Sequence, residues 1–212
     1  MIELAFIQTA LLIKSLFFFA LAFFLALVEI ELEGKFGWAE KAQTWYRTTG
    51  IWKIFQAGKP VTGYHMFMNI FLILLFHLAF FIGLPWTLSK ELILLAVFFA
   101  FIPVWDFLWF VLNPNYGIKN YKESKIWWFS NRKWIFGLFP IDYLFSWLVS
   151  LALAYGSSQV ARQPEIFANH LITLALFLVF SFITIIFIAK PYQKWHRFMR
   201  RKDDRAKSGI FH

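Results

Sequence analysis

The sequence predicts an all-α, polytopic integral membrane protein with five transmembrane helices. Five long apolar stretches fill most of the chain, and each is close to the ~20 residues needed to cross the hydrocarbon core of a bilayer. They are residues 4–28, 65–84, 91–112, 139–156 and 168–189. The composition agrees, because 60% of the residues are hydrophobic and 22% are aromatic, which is more apolar surface than a soluble chain of 212 residues needs.

Lys and Arg residues fall mostly into alternate gaps between these stretches. The first gap, the third gap and the C-terminal segment hold 18 of the 21 basic residues, whereas the second and fourth gaps hold only Lys90 and Arg162. Positive charge is retained on the cytoplasmic side during insertion, so this split predicts an external N-terminus and a cytoplasmic C-terminus in a cell or inner membrane. The odd number of spans agrees with this, because it places the two termini on opposite sides of the membrane.

The charge balance indicates what kind of partner the chain meets. Its formal net charge is +9, but the cations flank membrane spans, so we expect anionic lipid head groups as partners and no nucleic acid. We predict one transmembrane domain, residues 1–189, and a basic cytoplasmic tail, residues 190–212, that contacts head groups or a membrane-protein partner. The absence of cysteine excludes disulfides, thiolate metal sites and cysteine nucleophiles.

Both cytoplasmic loops are rich in tryptophan and are predicted to contain interfacial helices. In the first loop Trp38, Trp45 and Trp52 are spaced seven residues apart. Seven residues are nearly two helical turns, so the three indoles would share one face of a helix lying at the membrane surface. Residues 48–50 favour a break, so two short helices are an equal alternative. The second loop, residues 113–138, is expected to lie on the same membrane surface.

Polar residues within or beside the spans indicate where chemistry is expected, because each is costly in hydrocarbon unless it is paired or hydrated. Four segments each bring one such residue to the cytoplasmic leaflet, namely Glu33, His65, Asp106 and Asp142. Asp106 lies about six residues, or ~9 Å, inside the inner end of the third span at 1.5 Å per residue. The sequence therefore predicts that these side chains converge on one side of the membrane.

We interpret this convergence as one pocket open to the inner leaflet. In it, Asp106 and either Glu33 or Asp142 form an acid–base pair or, with His65, ligate a hard metal such as Mg²⁺, Mn²⁺ or Fe²⁺. No cofactor is specified by the residues.

A simpler interpretation explains each residue separately. The glutamates of residues 29–33 are then hydrated at a helix end, Asp142 favours a helix N-terminus, and His65 bonds to a neighbouring helix. This explanation is weakest for Asp106, because a carboxylate one to two turns inside a span requires a partner.

Two segments combine a proline with a nearby acid and aromatic residues. One runs Pro140-Ile-Asp-Tyr-Leu-Phe145 after a Trp-rich loop and Gly137, and the other runs Pro103-Val-Trp-Asp-Phe-Leu-Trp-Phe110. They resemble the two motif repeats of membrane-type carotenoid lycopene cyclases, in which a Trp-containing loop and a Gly precede Pro-Xaa-Glu-Glu-Xaa-Xaa-Phe-Phe. The resemblance implies cofactor-independent, acid-catalysed chemistry on a polyisoprenoid, with Asp106 and Asp142 as the acids, although each copy keeps one acid where the family has two.

Three classes of function remain open. A lipid- or isoprenoid-modifying enzyme fits the aromatic residues, which suit an apolar chain, and the carboxylates, which transfer protons. A structural or accessory subunit of a membrane complex would use its Phe-rich surfaces for packing. A transporter normally has helices broken by Gly or Pro, or matched repeats, and here only Pro103 interrupts a span. The enzyme and the subunit are therefore the leading alternatives.

Overall fold

The computed structural model describes residues 2–48, 59–129 and 132–204, and these residues are mostly helical. Within them, five helices are long and apolar enough to cross a membrane, which confirms the predicted number of such helices. The helices are α1 (Ile2–Glu33), α2 (Gly63–Phe81), α3 (Leu88–Leu112), α4 (Ile141–Ala161), α5 (Pro164–Ile183) and α6 (Ala189–Arg201). A π-helical turn, Thr184–Ile188, joins α5 to α6, so that the two form one continuous helix.

Three helices continue past their predicted C-terminal ends. The first continues to Glu33 instead of ending at residue 28, and the fourth continues to Ala161 instead of residue 156. The last continues to Arg201, so the predicted boundary at residue 189 falls inside a helix. Hydropathy marks only the apolar part of a helix, whereas Glu, Lys and Arg are themselves good helix formers and extend it into polar sequence. The longer α1 fixes the positions of its glutamates relative to one another.

The first loop contains short strands and turns where the sequence predicted a helix with its tryptophans on one face. In the described part of the first loop, β1 (Tyr46–Arg47) pairs antiparallel with β2 (Val61–Thr62). Trp38 has a positive φ of 47° in a turn and Trp45 directly precedes β1, so the prediction that these two indoles lie on one helix is wrong. A positive φ is incompatible with a right-handed helix. Trp52 lies outside the described residues.

The second loop contains only single-turn helices and a hairpin in its described part. The antiparallel hairpin is formed by β3 (Trp134–Ile135) and β4 (Phe139–Pro140), so α4 begins after Pro140 and not at residue 139. Three 3₁₀ helices precede it: Ile118–Asn120, Glu123–Lys125 and Trp127–Phe129. The last of them buries Trp128 and Phe129 against α3, which holds this loop under the end of the bundle.

Helix α3 lies at the centre of the bundle, with α1, α4 and α5 packed around it. Its proline, Pro103, has no N–H and leaves the carbonyl of Phe99 without its helical partner. The hydroxyl of Ser146 on α4 donates to that carbonyl at 2.7 Å, and Ser150 donates to the Ala96 carbonyl at the same distance. These two bonds fix α4 against α3, and they set the position of the first turn of α4 beside Asp106.

Candidate functional site

A cavity of about 570 Å³ opens between α1, α2, α3 and α4 at the end of the bundle that carries the basic loops. Its wall combines ionisable side chains with Trp, Ile and Phe side chains. The ionisable residues that line it are Glu29, Lys59, His65, Asp106 and Asp142. We call it the acid cavity. Three of the four residues singled out from the sequence therefore lie on one wall, and the fourth, Glu33, lies next to His65.

Helix α1 places two glutamates on the face that meets His65. Glu29 and Glu33 are four residues apart and both are buried, each with 6% of its surface exposed. Glu31 lies on a different face, where its carboxylate pairs with His196 Nε2 at 2.9 Å. The simpler interpretation, in which all three glutamates are hydrated at a helix end, is therefore wrong for Glu29 and Glu33, because both side chains are buried.

His65 faces the two buried glutamates from the first turn of α2. Its Nε2 atom lies 3.6 Å from Glu33 Oε1 and 3.9 Å from Glu29 Oε1. Its Nδ1 atom lies 2.7 Å from the hydroxyl of Thr62, the residue that caps α2. The indole of Trp38 stacks on the imidazole with the ring centres 4.4 Å apart. The ring is thus held on both sides and cannot rotate freely.

Asp106 accepts a hydrogen bond from the hydroxyl of Tyr143 on α4. This contact joins the third span to the fourth at the wall of the acid cavity. Asp142, one residue before Tyr143, lies nearer the rim, where the guanidinium of Arg132 is 3.4 Å from its carboxylate. The structure therefore gives the two predicted acids different surroundings, since Asp106 meets a neutral donor and Asp142 meets a cation.

Lys59 completes the acid cavity from the loop between β1 and β2. Its amine lies 3.9 Å from the ring centre of Phe129 and 4.4 Å from that of Trp38. Burial lowers the pKa of this amine to about 8, although the carboxylates of Asp106 and Asp142 act in the opposite direction. From the sequence, Lys59 counted only as a charge that orients the chain, because nothing local shows that it turns inward.

We expect Lys59 to lose its proton near pH 8. At pH 7.5 about a quarter of an amine with a pKa of about 8 is neutral, against about one in a thousand for an ordinary lysine. Competitive acetylation between pH 6 and 11, read by peptide mass spectrometry, should therefore show half-maximal reactivity near pH 8. The same peptide in the unfolded protein, where the ordinary value of about 10.4 applies, is the control. Identical profiles in both states would contradict the burial of this amine.

A second, apolar cavity of about 350 Å³ adjoins the acid cavity. Pro103 and Tyr143 line both. The remaining wall of the apolar cavity is almost entirely hydrophobic and includes Phe107, Phe139, Leu144, Trp147 and Leu178. The arrangement places a set of acids next to a space suited to an apolar chain, with the tyrosine that bonds to Asp106 between them.

Sequence reasoning missed Glu29, Lys59 and Tyr143 as parts of the site. A signal existed for Glu29, because the i, i+4 spacing with Glu33 places both on one helix face. For Tyr143 the signal was its place beside Asp142 in the proline motif. Comparison with protein-family models, with curated proteins and with solved structures found no match to this chain.

Proposed function

We propose that this protein is a membrane-embedded enzyme that acts on a lipid or an isoprenoid by carboxylate acid–base chemistry. The observation that carries the proposal is the pair of adjoining cavities, one lined by acids and the other by apolar side chains. An amphiphile fits such a pair with its polar or reactive group among the acids and its hydrocarbon chain in the apolar cavity.

In this proposal Asp106 exchanges the proton with the substrate. It lies deepest among the acids that the sequence singles out, and the Tyr143 hydroxyl fixes the orientation of its carboxylate. Asp142 lines the same cavity, so both segments that resemble the lycopene cyclase repeats contribute their acid to one space. That arrangement supports acid-catalysed chemistry on a polyisoprenoid as one form of the proposal.

The test incubates purified protein in lipid nanodiscs with a total polar lipid extract and, separately, with an isoprenoid extract. Nanodiscs without the protein are the control, and all mixtures are analysed by liquid chromatography and mass spectrometry. We expect one lipid or isoprenoid species to be consumed and a product to appear. Unchanged profiles with both extracts would contradict the proposal.

A structural or accessory subunit is the alternative, and helix α2 is the observation that favours it. Its buried residues in the structure are Gly63, His65, Leu72 and Phe76, so most of its surface is open to lipid or to a second membrane protein. Alanine at Asp106 separates the two functions. Loss of turnover with normal assembly supports the enzyme, whereas loss of assembly into a larger complex supports the subunit.

The orientation proposed from the charges places the acid cavity at the cytoplasmic leaflet, with the N-terminus outside. A reporter fused after His212 should therefore read as cytoplasmic, and one inserted after Arg162, between α4 and α5, should read as external. The measurement is the activity of paired reporters that work on opposite sides of the membrane. If both positions read on the same side, the five-span arrangement is wrong.

A basic cavity supports the proposed contact with anionic head groups. It has a volume of about 610 Å³ and lies between the end of α1 and α6. Its cations are Lys35, Lys41, Arg197, Arg200 and Arg201. A cluster of this kind at the membrane surface attracts acidic lipids by about 1 kcal/mol per cation. All five belong to the first gap or the C-terminal segment, so they are also among the charges that predict the orientation of the chain.

A further inference from the structure

We propose that Glu29, Glu33 and His65 bind one first-row divalent cation, such as Zn²⁺, Mn²⁺ or Fe²⁺. The three residues offer two carboxylate oxygens and one imidazole nitrogen, all within 4.8 Å of one another and all buried. As the metal centre of an enzyme, the site rests on the proposed function. Binding of the metal itself is measured without any substrate. The sequence suggested a metal held with Asp106, and the structure indicates Glu29 in its place.

The distances from the His65 imidazole to the two carboxylates suit co-ligands of one ion. Two ligands at about 2.0–2.2 Å from a metal, with an angle of 109–120° between them, are separated by about 3.3–3.8 Å. His65 Nε2 is 3.6 Å from Glu33 Oε1, inside that range, and 3.9 Å from Glu29 Oε1, just above it. Both separations exceed the 2.7–3.2 Å of a hydrogen bond. The imidazole is therefore too far away to satisfy either carboxylate directly.

Thr62 and Ala39 supply the outer contacts that metal ligands require. When Nδ1 of His65 carries the proton, it donates to the Thr62 hydroxyl at 2.7 Å, and Nε2 then presents its lone pair to the two carboxylates. The backbone N–H of Ala39 donates to Glu33 Oε1. Each contact fixes the orientation of one ligand, and Trp38 stacked on His65 excludes water from one side of the ring.

Two donors beside the cluster contact the third ligand, Glu29. The indole of Trp105 is 7% exposed and lines the acid cavity, and its N–H and the hydroxyl of Tyr64 both interact with the Glu29 carboxylate. Donors of this kind fix the orientation of a ligating carboxylate and leave its other oxygen for the metal.

The donor set determines the class of metal. Carboxylate oxygens suit Mg²⁺, Ca²⁺ and Mn²⁺, whereas an imidazole adds affinity for Zn²⁺ and Fe²⁺, so one nitrogen with two oxygens favours Mn²⁺, Fe²⁺ and Zn²⁺ together. Mg²⁺ is disfavoured because it prefers oxygen ligands, and one of the three donors here is an imidazole nitrogen. Such an ion would also neutralise two adjacent buried carboxylates, which in hydrocarbon surroundings would otherwise be costly.

The test titrates the purified full-length protein, stripped with a chelator, with ZnCl₂ and separately with MnCl₂ by isothermal titration calorimetry. We expect one equivalent of each ion to bind, and Glu29→Gln, Glu33→Gln and His65→Gln each to weaken binding at least 100-fold. Glu31→Gln is the matched control, because Glu31 lies on the same helix but faces His196. It should bind as the wild type does. Size-exclusion profiles and melting temperatures of the stripped proteins establish that all variants fold.

Two further measurements isolate the role of the imidazole. The spin-echo spectrum of bound Mn²⁺ should show an imidazole nitrogen that is lost in His65→Gln. Thr62→Val should weaken binding 10- to 100-fold, as expected for removal of an outer contact, and Thr62→Ser should restore it. Unchanged affinity in Glu29→Gln and Glu33→Gln, or no binding by the wild type, would overturn the inference.

The result is separable from that of the proposed function. If no metal binds but a lipid is still converted in an Asp106-dependent way, only the metal site is wrong. If one metal binds at these three residues and no lipid is converted, the enzyme proposal fails and the metal site stands.

Discussion

Replacing Asp106 with Asn should lower the rate of lipid or isoprenoid conversion by about 10²- to 10⁴-fold, the usual contribution of a positioned acid or base. The amide oxygen of Asn can still accept the hydrogen bond from Tyr143, so the contact between α3 and α4 is kept while proton exchange is lost. The measurement is the initial rate of product formation by mass spectrometry, with the melting temperature recorded for each variant.

Asp204→Asn is the matched control for this change. Asp204 is exposed and follows α6, far along the chain from the residues of the acid cavity. The replacement there is chemically the same as at Asp106. It should keep the full rate. A rate for Asp106→Asn within a factor of two of the wild type would show that Asp106 does no chemistry, and the accessory-subunit alternative would then be favoured.

Replacing Gly37 with Ala should destabilise the protein by about 3 kcal/mol. Gly37 has a φ of +68°, and an added methyl group would overlap the ring of Trp128, with Cζ3 only 2.6 Å away. The ring has no room to move, because it is buried and stacked on Phe110. About 1 kcal/mol of the loss comes from the left-handed backbone and about 1–3 kcal/mol from the overpacking.

Gly34→Ala separates these two contributions. Gly34 has a similar φ of +61°, but none of the described residues has an atom within 4 Å of an added methyl group. We expect it to cost only the backbone term, about 1 kcal/mol, in denaturant-induced unfolding in mixed micelles. Equal losses of unfolding free energy in the two variants would show that the Trp128 ring moves to make room for the methyl group. The stability of the loop would then not depend on this contact. Because Trp38 follows Gly37, the replacement Gly37→Ala should also weaken the stacking of Trp38 on His65.

The sequence predicted those features of the molecule that follow from hydropathy and from position along a helix. Five helices long and apolar enough to cross a membrane can be recognised from hydropathy alone, and the distance of Asp106 from the end of α3 follows from the helical rise. The spacing of Glu29 and Glu33 also predicts that they lie on the same face of α1, once the helix is known to extend to residue 33. These are local properties, and local sequence encodes them.

The remaining parts of the site depend on contacts between distant segments. The amine of Lys59 lies beside the rings of Trp38 and Phe129. No periodic pattern in the loop sequence predicts this contact. The spacing of Trp38 and Trp45 suggested a helix, but the chain reverses direction at residues with positive φ. Turn geometry of this kind is set by tertiary packing, which overrides a weak periodic pattern.

The hydrogen bond from Ser146 to the Phe99 carbonyl has a consequence for how the chain enters the membrane. Until α4 arrives, the gap that Pro103 leaves in α3 exposes a carbonyl to hydrocarbon, where an unsatisfied polar group costs several kcal/mol. During synthesis α3 emerges first, so its entry into lipid should cost less when α4 accompanies it. The Ser146 hydroxyl therefore favours insertion of α3 and α4 together, as one helical hairpin.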